Sequence, residues 1–267
     1  MDCSAYFAKY DKSSEEMKKY YNETYWSVFR NVMNVEIKDG KVDDAYLIKK
    51  LPKVLRDIIE IIGVRKSLSY SQYNYLKPYL KDKKFLEIGS GEGFVLELFE
   101  NKGFDVFGIE PSKDNLEIIT GKLKWGSCKT GFAEDLPQFD KKFDVIFMSH
   151  VLEHVIDCRD VLSKLKNGLS LDGTLFIEVP NCQNEETLQH SINTQPHLHH
   201  FTKKSLEKLM QNCGFKILKM DTFRCDVITL PQHLKYLLQW IFKADCYNPA
   251  SEQFGNNLRL IVTHADK

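Results

Sequence analysis

Three glycines stand close together in the segment E-I-G-S-G-E-G at positions 87–93. Glycine lets the backbone adopt positive φ angles and approach a ligand closely. A helix that begins just after such a loop also points its first amide groups at the ligand. The spacing is G-x-G-x-G, whereas dinucleotide-binding folds typically carry G-x-G-x-x-G, so the loop alone does not identify its ligand.

Glu110 supplies the second half of this pattern. It ends the next predicted strand, within the roughly 20-residue spacing at which an acidic residue binds ribose hydroxyls. A carboxylate there can accept hydrogen bonds from both hydroxyls. In the alternative, Glu110 is a surface residue at a strand end. The glycine loop and the acid together, in a strand–loop–helix–strand context, predict a nucleoside-binding site.

Three histidines, His197, His199 and His200, lie close together in the segment that follows a predicted strand at 174–179. Open α/β sheets bind ligands at the carboxyl ends of their strands. We therefore expect His197 and His199 to contact a substrate, and His200 to be a structural residue held by the backbone. In the alternative, the loop folds back on the sheet and all three are structural.

The elements that must position these residues begin at Lys83, where short apolar runs start to alternate with helical stretches. The predicted strands are 85–88, 106–109, 129–132, 143–148, 174–179, 215–220 and 258–263. The predicted helices are 94–102, 113–121, 151–154, 161–169 and 206–213, and a turn is predicted at 171–173. This alternation predicts a doubly wound α/β fold with a mostly parallel, seven-stranded sheet.

Two further helical regions flank this pattern. Residues 1–80 are predicted as an N-terminal helical extension or lid, and 81–267 as the main domain, with a helical insertion near 225–255. Apolar residues recur at helical intervals from Tyr46 to Ile62 and again over Pro231–Lys243. Periodicity reports burial and not the partner, so Pro231–Lys243 is equally a lid, a dimer face or core.

The N-terminal extension is dense in aromatic residues, since Tyr20, Tyr21, Tyr25 and Trp26 fall within one short stretch. They either form a lid over the ligand or pack the extension on the main domain. Aromatic side chains bury large areas, so packing is the favoured interpretation.

Composition narrows the function classes. Lys+Arg and Asp+Glu both total 37, whereas nucleic-acid binders usually carry a basic excess, so we expect no nucleic-acid partner. No run of about 18 apolar residues occurs, so we expect no membrane span. The seven cysteines are scattered without a C-x-x-C pair, which favours a reducing, cytoplasmic setting over disulfides or a cysteine-type zinc site.

The stretch from about Lys83 to Met220 resembles the class I S-adenosylmethionine-dependent methyltransferases, in particular their small-molecule type 11, 12 and 23 domains. The motifs that carry the resemblance are FLEIGSGEG, VFGIEPS, FAEDLP, FDVIFMSHVLEHV, LSLDGTLFIEVPN and HLHHFTKKSLEKLMQNCGF, in the order of the family. The resemblance implies S-adenosyl-L-methionine as cofactor and S-adenosyl-L-homocysteine as product. Residues 1–80 and the segment from Cys225 to Gly255 lie outside it.

The resemblance also implies which residues contact the cofactor. The methionine end would meet Glu87, Gly89, Ser90, Gly91 and Gly93; the ribose would meet Glu110; the adenine would meet Pro111, Ser112, Ala133 and Glu134; and the sulfonium would lie beside Ser149 and His150. Many members of the family have Asp directly before the alanine, where this chain has Phe132. We therefore expect Glu134 to take over the contact to the adenine edge.

His154 borders the acceptor pocket if the resemblance holds, since the family places the helix after its fourth strand there. His154, together with His150, is then a candidate to orient or deprotonate an acceptor hydroxyl. In the alternative, Glu153 and His154 bond to the backbone and shape the loop. His150, Glu153 and His154 also resemble the metal-binding arrangement of some catechol O-methyltransferases, but metal-free relatives share these residues, so we expect no metal.

The function implied by the resemblance is O- or N-methylation of a small polar acceptor, such as a sugar, a surface-glycan or capsule precursor, or a secondary metabolite. The chain would act as a monomer or a homodimer. One alternative is an NAD-type oxidoreductase, which the G-x-G-x-G spacing and the later E-D-L-P disfavour. Another is a catalytically inactive binding module, which the complete glycine loop and Glu110 disfavour.

Overall fold

The computed structural model describes residues 6–7, 14–25, 52, 54–55, 65–136, 142–193, 197–224, 234–235, 237–238, 241–242, 250–251 and 253–265. Most of the predicted helices Tyr46–Ile62 and Pro231–Lys243 lies outside these residues, as does Trp26. The boundary predicted between residues 80 and 81 remains a prediction.

The described residues form the following elements. The strands are β1 (Tyr6–Phe7), β2 (Lys84–Ile88), β3 (Asp105–Glu110), β4 (Ser127–Thr130), β5 (Phe143–Ser149), β6 (Leu169–Pro180), β7 (His199–His200), β8 (Phe215–Arg224), β9 (Ala250–Ser251) and β10 (Asn257–His264). The α-helices are α1 (Ser14–Glu23), α2 (Ser67–Leu76), α3 (Phe94–Asn101), α4 (Lys113–Lys122), α5 (Cys158–Gly168), α6 (Glu185–Asn193) and α7 (Lys203–Asn212).

The main sheet has the strand order β4-β3-β2-β5-β6-β10-β8-β9. Strands β2 to β6 pair in parallel, and β10 pairs antiparallel with both β6 and β8. This confirms the predicted doubly wound, mostly parallel sheet of seven strands, to which the two-residue β9 adds an edge. The strand order reverses between β2 and β5, and such a switch point opens a ligand crevice at the carboxyl ends of the strands.

Apolar side chains fill both faces of this sheet. One cluster lies between the sheet and helices α5 and α7, and a second is packed under α2 and α3. In the second cluster, the ring centroids of Phe147 and Phe176 lie 4.4 Å apart and those of Phe85 and Phe99 lie 4.0 Å apart. Within the described ranges, no helix combines the length and apolar composition of a membrane span.

Three local predictions were wrong. Residues 151–154 form a turn rather than a helix, because the helix begins at Cys158, where the Asp157 carboxylate accepts from the first free amides. Residues 171–173 lie within β6, where the register jumps so that the residues between Leu169 and Thr174 bulge out. The third predicted strand, 129–132, lies two residues earlier as β4, because its pairing with the edge of β3 runs from Ser127 to Thr130.

Candidate functional site

A cavity of about 940 Å³ opens at the carboxyl ends of β2, β3, β5 and β6. Of the residues predicted from the sequence, those that line it are Glu87, Gly89, Ser90, Gly91, Glu110, Pro111, Ala133, Glu134, Ser149, His150, His154 and His197. Gly93, Ser112 and His199 were predicted to belong to the site, but they are not part of the cavity wall. The sheet thus brings together nearly all of the predicted residues at its switch point.

The glycine loop, residues 87–93, turns sharply at two positive φ angles that matter for its shape. Gly89 has φ +71°, and a Cβ there would lie 2.4 Å from Val151 Cγ2. Gly93 has φ +77°, and a Cβ there would lie 2.7 Å from Ile119 Cγ1. Gly89 therefore shapes the cavity wall, whereas Gly93 allows α3 to start close to α4 behind it.

Glu110 ties the glycine loop to the end of β3. Its buried carboxylate accepts from Gly91 N at 2.8 Å, Ser112 N at 3.0 Å and Asn115 Nδ2 at 3.3 Å. Ser112 caps α4 through its hydroxyl, which accepts from Asn115 N, and this structural role explains why it lies off the cavity. The Glu110 carboxylate thus holds the glycine loop, the start of α4 and the end of β3 together at the cavity wall.

Glu87 lies at the closed end of the loop with its side chain buried. Its Oε2 atom has no hydrogen-bond partner among the described residues. Burial, and secondly the nearby Glu110, raise the pKa of Glu87 well above its usual value. Glu87 lines the cavity, and an ammonium group bound beside its unpaired oxygen would favour the ionised carboxylate and form a charge-assisted hydrogen bond with it.

The wall predicted to face an adenine consists of Ala133 and Glu134, in a short 3-10 turn at Ala133–Asp135. Glu134 Oε1 accepts from Ile156 N at 3.2 Å, so part of the carboxylate is used within the protein. Helix α1 is fastened to this wall, since Lys18 Nζ lies 2.6 Å from Asp135 Oδ2 and 5.6 Å from the ring centre of Phe132.

His150 follows β5 directly and carries a left-handed backbone, with φ 53°. A non-glycine residue in this conformation costs about 1–3 kcal/mol and persists where its surroundings fix it. Its ring lies between two carboxylates, with Nδ1 3.2 Å from Glu153 Oε1 and Nε2 3.5 Å from Glu178 Oε1. His150 lines the cavity, and 42% of its side chain is accessible.

The two carboxylates fix the charge of His150. Burial disfavours the imidazolium, but the hydrogen bonds to Glu153 and Glu178 outweigh it and raise the pKa of His150 to about 10. The ring is therefore already protonated at neutral pH. His150 lies beside the cavity as predicted, but it is not suited to accept a proton from a substrate.

Glu178 and Arg259 form a buried ion pair behind His150, with both side chains 1% exposed. Burial opposes the charge of Glu178, but Arg259 and then His150 lower the pKa of Glu178 to about 2. Gln72 Nε2 donates to Glu178 Oε1 and to Ser149 Oγ, each at 3.0 Å. Sequence reasoning missed this network, although Glu178 and Arg259 each interrupt an otherwise apolar predicted strand, which was a visible signal.

Glu153 and His154, from the turn after β5, meet His197, from the segment before β7. The Glu153 carbonyl accepts from Leu198 N at 2.8 Å and from His199 N at 3.0 Å, so the two segments are joined by backbone bonds. The ring centroids of His154 and His197 lie 4.7 Å apart at 71°. We call Glu153, His154 and His197 the histidine wall.

In the histidine wall, Glu153 is a buried carboxylate and His197 is a neutral imidazole. Burial would raise the pKa of Glu153, but the hydrogen bond from His150 and the charges of His154 and His150 lower it. Burial, and secondly His154, lower the pKa of His197 to about 3. His197 is therefore a neutral imidazole at physiological pH, with Nδ1 2.8 Å from Ser191 Oγ.

The neighbouring histidines are structural. His199 Nε2 lies 2.8 Å from the Val155 carbonyl, and its ring stacks on Phe201. This backbone contact explains why His199 is absent from the cavity wall, against the expectation from sequence. His200 is buried, and its Nδ1 lies 2.9 Å from the side-chain Oγ of Ser191, where a contact to the backbone was expected.

Aromatic residues of the N-terminal extension face the histidine wall. Tyr20, Tyr21 and Tyr25 line the cavity, where packing alone was the favoured expectation. The rings of Tyr21 and Tyr25 meet His154 edge-on, at centroid distances of 5.7 and 6.1 Å. The Tyr21 hydroxyl is buried and has no hydrogen-bond partner among the described residues. Strand β1 pairs with β7 and so ties this extension to the same wall.

Comparison with known proteins identifies related sequences and folds. Residues 66–220 match a family described as a methyltransferase domain. The ubiquinone biosynthesis O-methyltransferase of Pelagibacter ubique is 33% identical over 105 residues, which cover 38% of this chain and 44% of that protein. The tRNA U34 carboxymethyltransferase of Campylobacter jejuni is 29% identical over 128 residues, covering 45% of this chain and 44% of that protein.

Among solved structures, the magnesium protoporphyrin IX methyltransferase of Synechocystis PCC 6803, with bound SAH, has a TM-score of 0.59 to this chain. The two are 15% identical, and the match covers 94% of this chain and 100% of that one. This likeness concerns the fold. The chain spans less than half the length of the two curated relatives it matches.

Proposed function

This chain belongs to the methyltransferase-domain family, and from that premise we propose that it transfers a methyl group from S-adenosylmethionine to a small polar acceptor. One observation carries the proposal. The glycine loop and Glu110 line a single cavity at the ends of β2 and β3, and the histidine wall lines the same cavity on the side of β5, so we refer to these as its two ends. A nucleoside bound at the first end would present its reactive group towards the second.

The residues at the first end fit S-adenosylmethionine. Gly89 keeps the loop free of a side chain where a Cβ would fill the turn, and Glu110 stands at the end of β3 with its carboxylate fixed. The unpaired oxygen of Glu87 suits the ammonium of the methionine part. When bound, S-adenosylmethionine supplies a methyl group already activated by its positive sulfur.

The chain itself then has to position an acceptor and remove a proton. Placement of two reactants in line contributes several kcal/mol to a reaction of this kind. The histidine wall and the tyrosines of α1 enclose the space where that acceptor would lie. The neighbouring His150 is already protonated and His197 resists protonation. His154 is therefore the histidine that we propose to act on an acceptor hydroxyl, directly or through a bound ion.

The acceptor we propose is a sugar, a surface-glycan or capsule precursor, or a secondary metabolite, methylated on oxygen or nitrogen. Its support is the resemblance to small-molecule methyltransferases together with a wall of hydroxyl, imidazole and carboxylate groups. The relatives are named for ubiquinone biosynthesis and for tRNA, so both kinds of acceptor belong in the test. A cytoplasmic setting and a monomeric or homodimeric state are part of the same proposal.

Calorimetric titration tests the cofactor, and a methyl-transfer assay tests the acceptor. We expect S-adenosylhomocysteine to bind with a micromolar dissociation constant, about −8 kcal/mol, and NADH not to bind. Labelled S-adenosylmethionine should transfer its methyl group to a member of a panel of sugars, phosphorylated precursors and phenols, and not to tRNA. Binding of NADH without S-adenosylhomocysteine would contradict the activity, and transfer to tRNA would replace the acceptor.

A further inference from the structure

The histidine wall has the composition of a metal site. One ligand atom from each of Glu153, His154 and His197 lies within 4.8 Å of the others. All three residues line the cavity, and the hydrogen bonds from Leu198 N and His199 N to the Glu153 carbonyl fix the two segments relative to each other. The arrangement is therefore held by the backbone before any ligand binds.

A second observation points to a cation at this place. The Glu153 side chain is 1% exposed, and its Oε2 atom has no hydrogen-bond partner among the described residues. A buried carboxylate oxygen without a donor is costly, and a cation would satisfy it. Ser191 Oγ engages His197 Nδ1 at 2.8 Å, which directs the Nε2 atom of the same ring away from Ser191 as a ligand.

His150 does not belong to this set, although the sequence pattern His150, Glu153 and His154 resembles a metal-binding arrangement. Its two ring nitrogens face Glu153 and Glu178. The turn at residues 151–154 also replaces the helix that would have aligned the three residues. The third position is taken instead by His197, from a segment that the sequence pattern did not connect with Glu153.

We propose that Glu153, His154 and His197 bind one divalent transition-metal ion of the zinc type, with an open position facing the cavity. Ligands at 2.0–2.2 Å from zinc stand about 3.4 Å apart in a tetrahedral site, so rotation of the side chains closes the set. Two imidazoles and one carboxylate suit zinc, whereas magnesium prefers oxygen ligands and water. This site revises the expectation of metal-free activity drawn from the sequence.

The inference deepens the proposed function and rests on it for the identity of the substrate. An ion with an open position binds and polarises an oxygen of the acceptor. The substrate class is then an oxygen chelator, such as a vicinal diol or a hydroxyl next to a carboxylate. His154 contributes as a ligand of the ion, which in turn orients the acceptor hydroxyl.

Titration of the full chain with zinc chloride, after removal of metals with EDTA, tests the site without any acceptor. We expect one ion per chain for the wild type, and an affinity at least about tenfold lower for Glu153→Gln and for His197→Ala. His199→Ala is the matched control, since His199 is not part of the cavity wall and its ring contacts the Val155 carbonyl, so the change should leave zinc affinity unchanged. Magnesium chloride should give no comparable binding.

Cobalt chloride provides a second readout, because its absorption spectrum reports the ligands. A thiolate-to-cobalt charge-transfer band would place the ion on a cysteine and overturn the proposal. Equal zinc affinity in the wild type, Glu153→Gln and His197→Ala would also overturn it, as would no binding at all. S-adenosylhomocysteine is titrated into every sample. If it binds normally while zinc does not, the metal site fails and the proposed methyl transfer stands; if it fails to bind the wild type, the proposed function fails instead.

Discussion

The two ends of the cavity are built in different ways. At the glycine loop, one short stretch of chain and the next strand supply the groups, and main-chain amides of Gly91 and Ser112 hold the Glu110 carboxylate. At the histidine wall, side chains from α1, from the turn after β5 and from the segment before β7 converge. The first end depends on backbone geometry, and the second depends on contacts between distant segments.

This difference has a consequence for how each end tolerates change. The loop end has few side chains to vary, because a Cβ at Gly89 already meets Val151. The opposite end consists of side chains, so its chemistry can change while the backbone stays the same. The names of the relatives, one for ubiquinone biosynthesis and one for tRNA, indicate divergent acceptors, which agrees with this division.

The largest expected effect is at the histidine wall. His154→Gln keeps a polar side chain of similar length but removes the imidazole that faces the acceptor. We expect turnover to fall by roughly 10² to 10⁴, the range for loss of a group that assists proton removal, whether His154 acts on the hydroxyl itself or by holding the ion that polarises it. The affinity for S-adenosylhomocysteine should stay unchanged. Steady-state kinetics with the acceptor found in the screen, and calorimetry, measure the two.

His264→Gln is the control for this change, since His264 contacts the Leu169 carbonyl at the far end of β10. It should keep wild-type turnover. If His154→Gln loses cofactor affinity together with turnover, the cavity does not divide into a cofactor end and an acceptor end. If it keeps full turnover, His154 is a structural residue.

Glu110 provides the next largest effect, on the cofactor side. Glu110→Gln removes a charged acceptor from ribose hydroxyls, each such bond contributing about 1.5–3 kcal/mol. We expect S-adenosylhomocysteine affinity to fall more than tenfold. The same change also weakens the bonds from Gly91 N and Ser112 N, so it should lower the free energy of unfolding as well.

Glu100→Gln separates these two effects. Glu100 is equally buried and accepts from the amides of Lys124, Trp125 and Gly126, but it lies off the cavity. We expect it to lower the free energy of unfolding by about 1–3 kcal/mol and to leave cofactor affinity unchanged. An equal loss of affinity in both variants would mean that Glu110 acts only through the stability of the loop.

The same division explains what could be predicted from the sequence. The fold and the loop end follow from local patterns: alternating elements, glycine spacing and an acid at the end of β3. The charge of His150 depends on Glu178, whose own charge depends on Arg259 in β10. That dependence runs across three strands, and no local pattern contains it.

The opposite end was predicted only in part, since His154 and His197 line the cavity as expected but His199 does not. Residues 151–154 were expected to form a short helix before the one at 161–169, but they form a turn, and α5 begins at Cys158 after the capping carboxylate of Asp157. The resulting turn allows the Glu153 carbonyl to accept from two amides near β7, and this contact places His197 rather than His199 on the cavity. Which of two nearby histidines faces inward is decided by one backbone contact.

The smallest expected effect is on acceptor binding, when the hydroxyl of Tyr21 is removed. That hydroxyl has no hydrogen-bond partner among the described residues, and burial raises its pKa above the usual value. We propose that the acceptor supplies the missing partner. Tyr21→Phe keeps the ring against His154 and should raise the KM of the acceptor by roughly 2- to 12-fold, the effect of one hydrogen bond of about 0.5–1.5 kcal/mol, without changing cofactor affinity. Without acceptor, the variant should be as stable as the wild type or more stable, since it removes a buried unpaired group.

Tyr75→Phe is the control and should behave in the opposite way. The Tyr75 hydroxyl donates to Asp221 at 3.0 Å, so its loss should lower the melting temperature and leave the KM of the acceptor unchanged. If Tyr21→Phe destabilises the chain as Tyr75→Phe does, Tyr21 is part of the packing of α1 and the acceptor lies elsewhere in the cavity.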